Sequence, residues 1–460
     1  MLIQNAEIYG HGTADLRIRD GHIAEIGQLI PHADEPTRNA YNNALLPGLH
    51  DHHIHLAALA VRTASIICGP PEVCNEVELS TRFLSHQGKG WLRGILYHES
   101  VMGLPTATQL DRIIAHRPVR IQHRSGRMWL LNSLALAELL AKAAPPPGLE
   151  RANGQYTGRL FDEDAWLQTA LSSTPPPFAA ISAQLAAHGI TGLTDMTPRN
   201  DRQIAAHFAA EMASGALHQR IILAGTLDLA TAPSSAWQCG PAKLHLHENA
   251  LPDLDATITF ITSAHHQNRG VAVHCTSEVE MIFALAALES AGASPKDRIE
   301  HAGITSDAML QDIARLGLSV VSQPHFIAEK GDAYLRDVEP RHHVALYRLA
   351  SFARAGVPLA AGSDAPFASA DPWASMAAAI SRQTSSGQII GSDEALTPEA
   401  ALALYLADPL NLARQRRIHV GAPADLCLLD KPWHIARNNL NSTLVRASFI
   451  AGNCVYQAPS

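Results

Sequence analysis

Polar and apolar positions alternate at both ends of the chain, whereas apolar positions run together in its middle. Near the N-terminus, LIQNAEIYG and ADLRIRDGHIAEIG alternate with a period of two, as half-buried strands do. Asp20-Gly21 separates two such runs as a two-residue hairpin turn. Near the C-terminus, ADLCLLD and LVRASFIAGNCVYQ repeat the pattern, with Gly452-Asn453 as the turn. Neither group of strands can bury a face alone. Residues 1–47 and 415–460 are therefore expected to pack together as one discontinuous β-sandwich domain.

In the middle, short apolar runs alternate with Ala/Leu-rich helical stretches: GVAVHC, EMIFALAALESAG, RIEHA, AMLQDIARLG, LSVVSQP, LYRLASFARAG and VPLAAGSD. Fully apolar strands between helices indicate a parallel sheet covered by helices. Over residues 48–414 the expectation is a (β/α)8 TIM-like barrel with insertions, an α/β fold class. WLRGILYH, VRIQH, GITGLTDM, RIILAG and AKLHLH compete for the second to fourth strand positions. Proline runs at 145–147 and 175–177 mark loops.

Composition narrows the classes. A chain of 460 residues, 47% hydrophobic and 17% charged, can bury a large core without disulfides. Its 35 Lys+Arg against 43 Asp+Glu leave a net charge of −8, which argues against nucleic-acid and anionic-membrane partners. No run approaches the ~18 apolar residues of a spanning helix. The six cysteines are scattered with no CxxC pair, and MLIQNAEIYG lacks a basic-then-apolar leader. Reduced thiols in a cytoplasmic protein are expected, with a small-molecule substrate and, by base rate, a homodimer.

Twenty-five histidines change the picture, because imidazole is the commonest metal ligand and general base. The strongest local signal is LLPGLHDHHIH, residues 45–55. Alternation puts Asp51, His53 and His55 on one face of a strand, and two histidines two apart form a chelate. His274 ends GVAVHC, His301 ends RIEHAG and Asp364 ends VPLAAGSD, each at the carboxyl end of a strand, where barrels build their sites. Nitrogen and oxygen ligands without thiolate suit one or two divalent cations, zinc first, with manganese, iron or nickel as alternatives. Cys275 follows His274 and should face away from the barrel axis. In GPAKLHLHEN, Lys243, His245 and His247 share a face; Lys243 carboxylated by CO2 could bridge two cations, or the histidines could be ligands instead.

Together these stretches resemble the amidohydrolase superfamily of metal-dependent hydrolases, across nearly the whole chain from PGLHDHHIH to VGAPADLCLLD. HRSGRMWLLNS (123–133), SQPHF (322–326) and GSDAPFASADPWASMAAAISRQT (362–384) are similar to the N-substituted formamide deformylase type of branch. The resemblance implies that His53, His55 and Asp364 bind the more buried metal, with Asp364 also shuttling protons. It implies that Lys243 bridges as a carbamate and that His274 and His301 bind a second metal; with one metal, His301 becomes a substrate or transition-state contact. Two positions depart from the branch: Arg127 stands where a His is usual, and CTSEVE replaces a small Gly/Asp-containing turn.

The implied chemistry is hydrolysis of a non-peptide carbon–nitrogen bond in an amide, formamide, cyclic amide or carbamate, by metal-activated hydroxide. Arg124 and Arg127 could clamp a substrate carboxylate, His325 could donate to an oxyanion, and Gln323 and Tyr347 join them as substrate contacts. The alternatives are an aminohydrolase acting on a heterocycle, for which Glu278 would be the acid, and a noncatalytic metal-binding protein on the same fold.

Overall fold

The computed structural model describes residues 1–87, 90–171, 176–231 and 235–459; Pro175, in the second proline run, lies outside them. Residues 1–56 with 177–460 form one compact unit, and residues 57–176 form another.

The larger unit contains eight parallel strands: β1 (Leu49–Ile54), β2 (Ile190–Asp195), β3 (Arg220–Gly225), β4 (Trp237–His245), β5 (Val271–Cys275), β6 (Arg298–His301), β7 (Ser319–Ser322) and β8 (Leu359–Ala361). They are hydrogen-bonded in chain order, β1 to β8. The ring is drawn together just past β8, where the N–H of Asp364 donates to the carbonyl of His53 at 2.6 Å. This is the TIM-like barrel expected from the alternation of apolar strands and helices.

Each strand divides its residues between two faces. Val271, Val273 and Cys275 of β5 and Ile299 of β6 pack outward against Met281, Leu285 and Leu288 of α1 (Glu278–Ala291) and Met309 and Ile313 of α2 (Asp307–Arg315). Cys275 is thus core, as its parity predicts. The helix α1 starts where a capping box forms, the Ser277 side chain accepting from the N–H of Glu280 while the Glu280 carboxylate accepts from the N–H of Ser277. Met196, Ala224 and Ala272 fill the barrel interior, leaving the strand ends to polar residues.

GITGLTDM, RIILAG and AKLHLH therefore supply β2 to β4. WLRGILYH and VRIQH belong to the second unit instead, as Leu92–Tyr97 and Val119–His123 of a six-stranded mixed sheet. The discriminating signal is connection length. Residues 124–127 join Val119–His123 to Met128–Leu131 as an antiparallel pair, and no crossover helix fits in so short a link.

The chain termini share one sheet within the larger unit. Ala44–Pro47 pairs antiparallel with Leu426–Leu429, joining N-terminal strands to C-terminal ones. The sheet folds over a core of Ile3, Ile8, Leu16, Leu45, Leu426 and Phe449, among others, and the N–H of Ile23 reaches the carbonyl of Ala422. Asp20 and Gly21 both take positive φ, as the hairpin requires. At the other hairpin the turn is Ala451-Gly452, because Asn453 already pairs with Ile450; the expected position was one residue too late. Among the described residues, no helix is long and apolar enough to cross a membrane.

Barrel closure makes one glycine indispensable. A Cβ on Gly362 would stand 2.3 Å from the nitrogen of His53 and 2.4 Å from its Cβ. Gly362→Ala is expected to destabilise the protein by about 1–3 kcal/mol or more, the range for overpacking, read from urea unfolding. An unchanged midpoint would mean that β1 and β8 are not held this closely.

Candidate metal centre

Strand β1 does not follow simple alternation. Leu193 pairs with Asp51 and Asp195 with Ile54, so β1 carries an extra residue between those pairs, a bulge. His53 and His55 line a cavity at the strand end. Asp51 does not line it; its carboxylate accepts from the N–H groups of His53 (3.1 Å) and Ser363 (2.9 Å), stitching β1 to β8. Burial pushes the Asp51 carboxyl up to about 6.

The expected ligands converge. Ligand atoms of His53, His301 and Asp364 all lie within 4.8 Å of one another. His55 Nε2 lies 3.1 Å and His53 Nε2 3.4 Å from the same Asp364 oxygen. The His301 ring stands between those of His53, at 4.8 Å, and His274, at 4.4 Å. His301 is therefore beside both His53 and His274. His245 stacks on His274 at 4.3 Å, and His245, His247 and Lys243 also line the cavity. His301, Ala302 and Asp364 all have left-handed φ, the strained backbone often found at functional sites.

Burial decides the protonation states. It holds the His53 and His301 imidazoles well below their ordinary value and draws His274 down to about 3. These rings are neutral near pH 7 and have a lone pair to offer. Lys243 Nζ is buried with no hydrogen-bond partner, and burial lowers it to about 8. A buried, unpartnered ammonium is costly, whereas a neutral amine can take up CO2 and become an anionic oxygen donor. Neutral imidazoles, one carboxylate and this orphaned amine suit a divalent cation.

The tautomers are set from behind. His53 Nδ1 lies 2.5 Å from Glu300 Oε2, and Arg298 Nε donates to Glu300 Oε1, also at 2.5 Å. Gln323 Oε1 lies 2.8 Å from His301 Nδ1. With Nδ1–H donated rearward in both rings, each Nε2 is left free to ligate. Glu300 and Arg298 escaped the sequence reading. The available signal was the alternation in RIEH, which places both on the inward face of β6.

Several expected substrate contacts have protein partners of their own. Gln323 is fully buried outside the cavity wall and acts on His301, so it positions a ligand rather than touching substrate. His325 is buried with Nδ1 3.0 Å from Ser375 Oγ and Nε2 2.9 Å from the carbonyl of Ser363. Both nitrogens are engaged, which leaves no donor for an oxyanion. Arg124 and Arg127 belong to residues 57–176, where Arg127 forms a bidentate pair with Asp162 at 2.7 and 2.8 Å. Glu278 begins α1, 3.9 Å from His342 and outside the cavity wall. Trp373 is core. Tyr347 does line the cavity, its hydroxyl 3.2 Å from that of Tyr334.

The cavity encloses about 490 Å³. Its floor is the histidine cluster with Lys243 and Asp364; its wall is Ile304, Phe326, Tyr334, Val338, Leu346, Tyr347 and Phe367. Phe326, Lys330 and Tyr334 come from one face of α3 (His325–Asp337), with Val338 at its end. Their spacing of four is the helical signal in the sequence that marks this face.

Residues 37–456 match the model of the Amidohydrolase family. The chain is 24% identical to the N-substituted formamide deformylase of Arthrobacter pascens, over 92% of this chain and 90% of that protein. It is 23% identical to the putative amidohydrolase YtcJ of Bacillus subtilis (strain 168), over 97% of each. Among solved structures, an uncharacterized metal-dependent hydrolase from Pyrococcus furiosus superposes with a TM-score of 0.76 at 20% identity, covering 93% of this chain and 98% of that one.

Proposed function

The chain belongs to the amidohydrolase family and is a hydrolase of carbon–nitrogen bonds; from that premise we propose that it cleaves a small, non-peptide amide of the N-formyl or N-acyl amine type. The observation that carries the reading is the cavity's chemistry: His53, His301 and Asp364 converge within 4.8 Å, and Asp364 is the one carboxylate among the described residues lining the cavity. A heterocycle aminohydrolase would want a second acid beside His274. Glu278, the nearest candidate in the sequence, lies outside the cavity wall, and Glu280 accepts from the N–H groups of Thr276, Ser277 and Glu248.

Zinc is the cation this donor set suits best; His53, His55, His274, His301 and Asp364 would hold it, with Lys243, once carboxylated, as a further oxygen donor. Bound there, such ions make water a nucleophile near neutral pH and polarise the scissile carbonyl. Asp364 accepts the proton of the attacking water and delivers it to the leaving nitrogen. Glu300 and Gln323 keep the two histidine rings turned with Nε2 forward. The apolar wall holds the amine or acyl body and keeps bulk water away.

The test is metal content per chain on purified, zinc-replete protein, followed by an N-formyl and N-acyl amine screen. The expected result is about two ions in the wild type and about one in Lys243→Ala, together with release of a free amine. One ion in both proteins would remove the carbamate. No metal in a folded protein, or ammonia from heterocycles with no amide turnover, would overturn the reading.

A further inference from the structure

Lys330 is the feature of the cavity that cleavage of a bare amide leaves unused. It lies on α3, half-buried in the cavity wall. Its ammonium stands 3.7 Å from the centroid of the Phe326 ring, a cation–π contact that fixes where the charge sits. Among the described residues no acid forms an ion pair with it. The neighbouring Glu329 accepts from the N–H of Ser369 at 3.1 Å. Asp364 acts on Lys330 only across the cavity and is itself set beside His53 and His55.

We propose that Lys330 is a specificity-determining residue that selects substrates carrying a carboxylate in addition to the scissile carbon–nitrogen bond. This rests on the hydrolase reading and narrows its substrate class. A neutral amide filling the cavity would strip water from the ammonium and give nothing in return. A carboxylate would accept a charge-assisted hydrogen bond from it. Tyr334, Tyr347, Leu346 and Ile304 would meanwhile cover an aromatic or branched aliphatic body. The expected substrates are thus apolar amides with one carboxylate.

The test is calorimetric titration of the metal-loaded full chain with 3-phenylpropionate and with its neutral match, 3-phenylpropanamide. The acid is expected to bind the wild type roughly 10- to 100-fold more tightly than the amide, as a charged hydrogen bond allows. Lys330→Met should abolish that preference and Lys330→Arg should keep it. Lys330→Gln serves where the Met variant fails to fold. Equal binding of acid and amide by the wild type would overturn the proposal. So would a preference that survives in Lys330→Met, since the metal would then be reading the carboxylate. Binding needs no turnover, so an absence of amide hydrolysis would sink the hydrolase reading and leave this result standing.

Discussion

Asp364→Asn is expected to lower kcat by about 10³-fold or more while leaving the fold intact. The amide keeps the carboxylate's shape and one oxygen, so it still fits beside His53 Nε2 and His55 Nε2, 3.4 and 3.1 Å away. It also tolerates the backbone, because Asp364 has a φ of 51° and asparagine accepts the left-handed region as aspartate does. Charge and basicity are what is lost. Without them the residue cannot take the proton of the attacking water or return it to the leaving nitrogen. It also binds a cation less strongly, so metal content should fall in part. Single-turnover kinetics at saturating metal separates the two losses: restoring metal should not restore the rate. A variant that keeps more than a tenth of wild-type kcat when fully loaded would remove Asp364 from the proton path.

The sequence carried the floor of this site better than its walls. His53, His55, His274, His301 and Asp364 all sit at or just past the carboxyl ends of barrel strands, and strand ends are fixed by topology, so their convergence was legible in the sequence. Side-chain direction was harder. Asp51 shares parity with His53, yet the bulge in β1 sets it against the N–H groups of His53 and Ser363. His325 spends both ring nitrogens, and Gln323 its side-chain oxygen, on protein partners. No local pattern distinguishes a histidine that faces substrate from one that ties a serine hydroxyl to a backbone carbonyl. Lys330 and Tyr334 were missed for the opposite reason. They are ordinary residues of an amphipathic helix, and only the cavity gives that face its meaning.

The second large effect is expected at a residue that never touches substrate. Glu300 is fully buried, with one oxygen 2.5 Å from His53 Nδ1 and the other 2.5 Å from Arg298 Nε. Arg298 also donates to the carbonyl of His52 at 2.9 Å, so the pair anchors β6 against β1 inside the barrel. Glu300→Gln places an amide between two donors. Its NH2 must face either the imidazole N–H or the guanidinium, and Arg298 is left as a buried charge without its counter-ion. The expected loss is about 3–5 kcal/mol in urea unfolding, as for breaking a buried pair. Metal affinity should fall about 10- to 100-fold, because His53 loses the acceptor that keeps Nε2 forward. A double variant separates these effects. Arg298→Met with Glu300→Leu removes both charges and refills the space with apolar groups, which often recovers stability. It cannot recover the orientation of His53, so the protein should refold to near wild-type stability and still bind metal weakly. If the double variant regains metal affinity as well, Glu300 contributes only charge balance, and the ring of His53 is held by packing alone.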